Sequence, residues 1–332
     1  MKISNKIIIF IVIIFCSCQH VEQFSLTGKT KDFNDGEMIY LRLNNTIIDS
    51  AKVVNNQFEF NTKLENYPAN VILLKKDFSQ YRFLWIEDKE MTFDATQSDF
   101  RNATVTGSET ENISQELASL KKNLKPGNSG KIKIEQDFVK NHPNSIVSAS
   151  VLSIYSSTWG KKKTEELYNF LSEEVKNTTY GKEIQNYINL AIEPTIGDKY
   201  VDFKMNDVDG NSLQLSELEG KLILLEFWAS WCGPCRAENP NLVKSYENYK
   251  DKGFEIFAVS LDAEKESWEK AIAKDNLPWK HVSDLAGDKN KASIIYGISG
   301  IPDNFLINSE GVIVARNVRG DALNNKLKEL LN

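Results

Sequence analysis

Residues 222–228 read Leu-Ile-Leu-Leu-Glu-Phe-Trp, apolar at every position but Glu226. A strand that is apolar on both faces must be covered on both faces, and helices packed on either side of a sheet supply that cover. The run therefore demands a layered α/β fold, and the surrounding sequence agrees. From about Ile196 strand-like and helix-like segments alternate. Val201 to Leu215 reads as a hairpin turning at Asp209-Gly210-Asn211, and the apolar run is followed by a helix to about Lys252 that stops at Gly253. A strand from Glu255 to Leu261 and helices around Ser267 to Lys274 and Lys289 to Tyr296 come next. Strands Asn304 to Asn308 and Val312 to Asn317 meet at Ser309-Glu310-Gly311. A last helix, with Asp321 as its expected cap, carries Leu323, Leu327, Leu330 and Leu331 on one stripe.

This α/β region is under half of a 332-residue chain, so more than one domain is expected. Residues 24–110 are β-like: Met38 to Leu43, Gln57 to Phe60 and Tyr81 to Ile86 are short, aromatic-rich and partly alternating, with Asn- and Gly-containing turns between them. They suggest a small antiparallel sandwich with no chemistry of its own. Residues 111–192 read as a helical connector, interrupted at Lys125-Pro126-Gly127-Asn128-Ser129-Gly130 and His142-Pro143-Asn144. Residues 193–332 form the α/β domain. Forty basic against 46 acidic residues give a net charge of −6, which offers no general basic surface and argues against a nucleic-acid partner.

The four cysteines fall in two pairs, Cys16 with Cys18 and Cys232 with Cys235. A disulfide-stapled secreted scaffold would scatter more of them. Lys2 and Lys6 precede an apolar run from Ile7 to Phe15, a basic then apolar pattern that reads as a secretory signal over residues 1–18. The run is shorter than the ~20 residues a spanning helix needs. Ser17 before Cys18 resembles the lipobox of bacterial lipoproteins, which implies cleavage there and acylation of Cys18, with an ordinary signal peptide cut nearby or an uncleaved anchor as the alternatives. The expected location is the bacterial cell envelope, facing the periplasm and membrane-anchored through Cys18.

The chemistry concentrates in Trp231-Cys232-Gly233-Pro234-Cys235, where the apolar strand gives way to a helix. Positions i and i+3 on a helix lie ~5 Å apart at Cα, within disulfide range, so the bond can close or open with little backbone movement. As a staple it would contribute only about 2 kcal/mol, against ~4.7 kcal/mol for a 100-residue loop. Zinc would want two more ligands, and His20, His142 and His281 are scattered, so no metal and no cofactor are expected. A redox dithiol is the reading that remains. At the helix N-terminus, unpaired N–H groups and the macrodipole favour the thiolate of Cys232, the expected nucleophile. Cys235, one turn further in, is the expected resolving thiol. Pro234 suits the first turn, and Pro240 is expected to kink the helix near Arg236.

Two further residues belong to this picture. Glu226 is the lone charge in its strand, and a buried carboxylate is expensive unless it titrates neutral or acts. It is either a proton acceptor for Cys235 or a strand-end carboxylate that reaches water. Pro302, in Ser299-Gly300-Ile301-Pro302-Asp303, either starts the next strand or forms a cis Ile301–Pro302 bond that exposes the Ile301 backbone to an extended substrate.

These residues resemble the thioredoxin superfamily, most closely the TlpA/ResA-like thiol-disulfide oxidoreductases of bacterial envelopes. The likeness covers about Ile196 to Asn332, and Trp231 to Cys235 is identical to the thioredoxin active-site motif. It implies a thioredoxin fold, a central mixed sheet flanked by helices, with an extra N-terminal hairpin. It also places Glu226 where thioredoxins keep a buried aspartate and Pro302 where they keep a cis-proline. Asp303 departs from the usual threonine there. Residues 24–106 are similar to β-rich domains of unknown role that precede such modules in bacterial lipoproteins. The implied activity is disulfide exchange with protein cysteines, as a reductant supplied by an upstream electron donor. A peroxiredoxin-like enzyme and a lipid-anchored binding module are the competing readings. The first fits poorly with Ala229-Ser230-Trp231 before a dithiol, and the second with an intact CxxC.

Overall fold

The computed structural model describes residues 24–122, 124 and 129–331. The signal-peptide reading and the acylation site at Cys18 lie outside the described residues. The chain divides into two compact units, one ending at Lys122 and one running from residue 123 to Asn332.

The first unit contains β1 (Ser25–Lys29), β2 (Met38–Leu43), β3 (Thr46–Lys52), β4 (Gln57–Phe60), β5 (Ala69–Leu74), β6 (Tyr81–Ile86), β7 (Glu90–Asp94), β8 (Thr104–Thr106) and α1 (Glu109–Lys121). Alternation decides the faces: Phe58 and Phe60 of β4 point inward while Gln57 and Glu59 stay exposed. Two four-stranded sheets, ordered β4-β1-β7-β8 and β3-β2-β5-β6, enclose one apolar core that includes Leu26, Phe60 and Phe93 from one sheet and Ile39, Val71 and Leu84 from the other. The expected sandwich is therefore present, with one departure: β1 and β7 pair in parallel, and the other ladders are antiparallel. Ser108 caps α1 by accepting the Glu111 N–H at 3.0 Å.

The second unit opens with α2 (Ser129–Asn141), α3 (Ile146–Trp159), α4 (Lys161–Tyr168), α5 (Glu173–Lys176) and α6 (Thr179–Leu190). It continues with the hairpin β9 (Lys204–Asn206) and β10 (Ser212–Gln214), then β11 (Leu222–Trp228), α7 (Gly233–Tyr249), β12 (Phe254–Ser260), α8 (Lys265–Asp275), β13 (Lys280–Val282), α9 (Lys291–Ile295), β14 (Asp303–Asn308), β15 (Ile313–Arg316) and α10 (Gly320–Leu331). The five-stranded sheet is ordered β13-β12-β11-β14-β15, so the apolar run at 222–228 is its middle strand. β12 lies parallel to β11, and β14 antiparallel. This is the mixed, helix-flanked sheet of a thioredoxin fold, with the extra hairpin before it.

The helices before the sheet are tied to it. The N–H groups of Ile192 and Glu193 both donate to the Ile295 carbonyl at the end of α9, at 3.0 and 2.9 Å. The Glu193 carboxylate accepts the Lys161 N–H at 2.8 Å and the Tyr187 hydroxyl, linking α4 and α6 to the same point. One local detail differs from the sequence reading. Helix α7 runs through Pro240, the residue expected to kink it, and the difference lies at α10, which starts at Gly320 and so has Asp321 in its first turn rather than at the cap.

Candidate active site

β11 is buried at every residue but the half-buried Ile223 and ends at Trp228, after which Ala229 to Trp231 turn the chain into α7. Gly233 and Pro234 open that helix, where a missing N–H costs nothing. Cys232 is its N-cap: the sulfur itself accepts the Cys235 N–H at 3.2 Å. Cys232 and Cys235 are joined by a disulfide with Cα atoms 5.3 Å apart. Cys235 is 1% exposed and Cys232 4%, whereas Trp231 beside them is 66% exposed. The disulfide thus lies just under the surface at the end of the central strand.

The register brings the other two expected residues to this region. Phe227 faces Asp303 across the β11–β14 ladder, so Pro302, one residue earlier, stands at the same end of the sheet as Cys232. The Ile301–Pro302 bond is cis. Ile301 is half-buried. Asp303 is not a free replacement for threonine: it pairs with Arg316 of β15 at 2.8 Å.

Glu226 faces Asn304 on β14 and is buried, at 4% exposure. It does not reach water as a strand-end carboxylate would, and its Oε2 has no hydrogen-bond partner. Burial pushes its pKa up to about 8; the Asn304 side chain and the Arg319 guanidinium oppose that shift, and the Glu238 and Asp303 carboxylates reinforce it. Asn304 is held in place by exchanging hydrogen bonds with the Val318 backbone at 2.9 and 3.0 Å, and Arg319 donates to the Pro302 carbonyl. The segment entering α10 therefore braces both Glu226's neighbour and the proline.

Several site residues escaped the sequence reading. The Asp262 carboxylate, just past β12, accepts the Ser230 N–H at 2.9 Å and the Ser230 hydroxyl at 2.5 Å. Arg236 donates to the Ser230 carbonyl at 3.0 Å and forms a two-pronged ion pair with Asp275. An acidic residue right after an apolar strand was the one available signal, and it does not name its partner. His281 is buried against Trp228 and Trp279, and burial pushes its pKa down to about 3, so it stays neutral at physiological pH. Among the described residues no group of three His, Cys, Asp or Glu side chains is placed to hold a metal ion.

A disulfide opening a helix at the end of a central strand, with a cis-proline at the same end of the sheet, belongs to the thioredoxin-fold class. The comparisons agree: a model described as the AhpC/TSA family matches residues 196–316, and one described as a domain of unknown function (DUF4369) matches residues 24–113. The thiol-disulfide oxidoreductase ResA of Bacillus cereus (strain ATCC 10987) is 29% identical over 147 residues, covering 44% of this chain and 83% of that protein. ResA of a second Bacillus cereus strain (ZK) is 32% identical over 122 residues, covering 36% of this chain and 68% of its own length. A solved thioredoxin domain of a thiol-disulfide oxidoreductase from Bacteroides vulgatus is 38% identical, covering 42% of this chain and 99% of that one, with a TM-score of 0.40. This chain belongs to the TlpA/ResA-like thiol-disulfide oxidoreductases of the thioredoxin superfamily. The matches to ResA leave more than half of the chain uncovered.

Proposed function

We propose that this oxidoreductase reduces disulfides in proteins of the bacterial envelope through the Cys232–Cys235 pair, and that acylation of Cys18 holds it at the membrane. The observation that carries the reading is the Cys232 sulfur serving as the N-cap of α7. In the reduced protein the same N–H groups stabilise a Cys232 thiolate. That thiolate attacks one sulfur of a substrate disulfide, forming a mixed disulfide and releasing the other substrate sulfur as a thiolate. Cys235 gives its proton to the ionised form of Glu226, whose share grows as pH approaches 8, and attacks the Cys232 sulfur. The Cys232–Cys235 bond forms, the mixed disulfide breaks, and the second substrate thiol leaves, so two electrons pass to the substrate. A thiol donor upstream restores the dithiol. Gly233 and Gly300 leave open space where a Cβ would sit, and with Trp231 and the Ile301 backbone they offer a docking edge for an extended substrate segment.

The test is insulin reduction with a dithiol as electron source. The wild-type protein should reduce insulin, and Cys232→Ser should fall to background. Activity that survives in Cys232→Ser would end the proposal. Peroxide reduction is the second reading, favoured by the AhpC/TSA match; peroxide consumption without a protein substrate would support it.

A further inference from the structure

We propose that Ser230 and Asp262 form a positioning pair that fixes Cys232 at the start of α7 and thereby sets how readily it attacks. The inference rests on the reading of Cys232 as the attacking thiol. Ser230 is the second residue before Cys232 and is held at three atoms. Its N–H and hydroxyl both donate to Asp262, at 2.9 and 2.5 Å, and its carbonyl accepts Arg236 at 3.0 Å. Both anchors are themselves fixed. Asp262 is 1% exposed, also accepts the Ser260 hydroxyl at 2.6 Å, and follows Leu261, whose N–H donates to the Trp228 carbonyl at 2.9 Å. Arg236 is clamped on Asp275, which Asn239 also bonds at 2.7 Å. The loop between β11 and α7 is thus tied on one side to β12 and on the other to the first turn of α7 and the end of α8.

Within that frame Cys232 has little freedom, since its N–H donates to the Ala229 carbonyl at 3.1 Å and its sulfur meets the Cys235 N–H. Aiming the sulfur at the helix N–H groups is what favours the thiolate, and such alignment falls off within the first turn. A loosened Ser230 lets the sulfur drift from those donors. Asp262 touches neither sulfur in the described contacts, so its action runs through Ser230. The charged groups bonded around this loop are Asp262, Arg236 and Asp275, with the buried Glu226 on β11.

The experiment compares full-length wild-type, Ser230→Ala, Ser230→Thr, Asp262→Asn and Cys232→Ser proteins. It reads the rate of attack on a small aromatic disulfide, the thiolate titration by ultraviolet absorbance, and thermal stability. Losing one hydrogen bond's worth of alignment should raise the titration midpoint in Ser230→Ala by about one pH unit and slow attack near neutral pH about threefold, the smaller thiolate fraction being partly offset by a more nucleophilic thiolate. Ser230→Thr, which keeps the hydroxyl, should restore both. A Ser230→Ala protein that melts earlier yet keeps the wild-type midpoint and rate overturns the proposal, because its hydroxyl is then structural only. A midpoint lowered in Asp262→Asn with Ser230→Ala unchanged also overturns it, because Asp262 then acts only as a charge. Attack on the disulfide that persists in Cys232→Ser overturns instead the reading of Cys232 on which the pair depends.

Discussion

Glu226 is the residue whose environment makes the sharpest quantitative demand. Its pKa is raised from 4.5 to about 8 by burial, so the folded protein holds a proton there that the unfolded chain releases. Stability from this site is complete below about pH 4.5 and falls as pH rises toward 8, by about 1.4 kcal/mol per unit inside that window. Glu226→Gln should therefore flatten the decline: denaturant midpoints at pH 5 and pH 7 should differ less in the variant than in the wild type. Glu111 in the first unit, raised to about 7 mainly by burial, pulls the wild-type curve the same way and is common to both proteins. The same variant should release mixed disulfides more slowly while its Cys232 titration barely moves, and equal release rates would remove Glu226 as proton acceptor. At this scale the cysteines were legible because a reversible disulfide demands a particular spacing. The lone charge of β11 was legible because apolar surroundings make it costly. The Ser230–Asp262 bond was not, because its partners stand 32 residues apart and meet only through the β11–β12 register.

Among the elements, strands announced themselves through alternation or unbroken apolarity, and β2, β4, β6 and β11 occupy the residues that patterning assigned to them. What patterning did not carry was partner choice. The parallel β1–β7 pair joins residues some 65 apart, from Ser25 beside Glu90 to Lys29 beside Asp94, and no local signal distinguishes it from an antiparallel ladder. The link from β8 to α1 is more constrained than its sequence suggests. Gly107 sits at φ +94°, and a Cβ there would lie 2.2 Å from the Glu90 carbonyl oxygen. Gly107→Ala should lower stability of the first unit by about 2 kcal/mol or more, from backbone strain plus the clash. Insulin reduction should persist, since the residues proposed to carry disulfide exchange all lie in the second unit. A thermal scan with parallel activity readings checks both halves of that expectation.

For the whole molecule, the helices between the sandwich and the thioredoxin-like sheet are the part that sequence described least well. Their periodicity shows helix, but their allegiance depends on backbone bonds from Ile192 and Glu193 to Ile295, which composition does not encode. A fragment of residues 123–332 should reduce insulin like the full chain. One of residues 193–332 should also be active but melt several degrees lower, having lost α4 and α6 and the Glu193 contacts that tie them to α9. Equal melting temperatures would show that these helices add nothing to the catalytic fold. The two apolar cores share no residue. Random substitution is thereby partitioned: sequence drift inside the first core is paid for in that unit's own folding, leaving electron transfer intact.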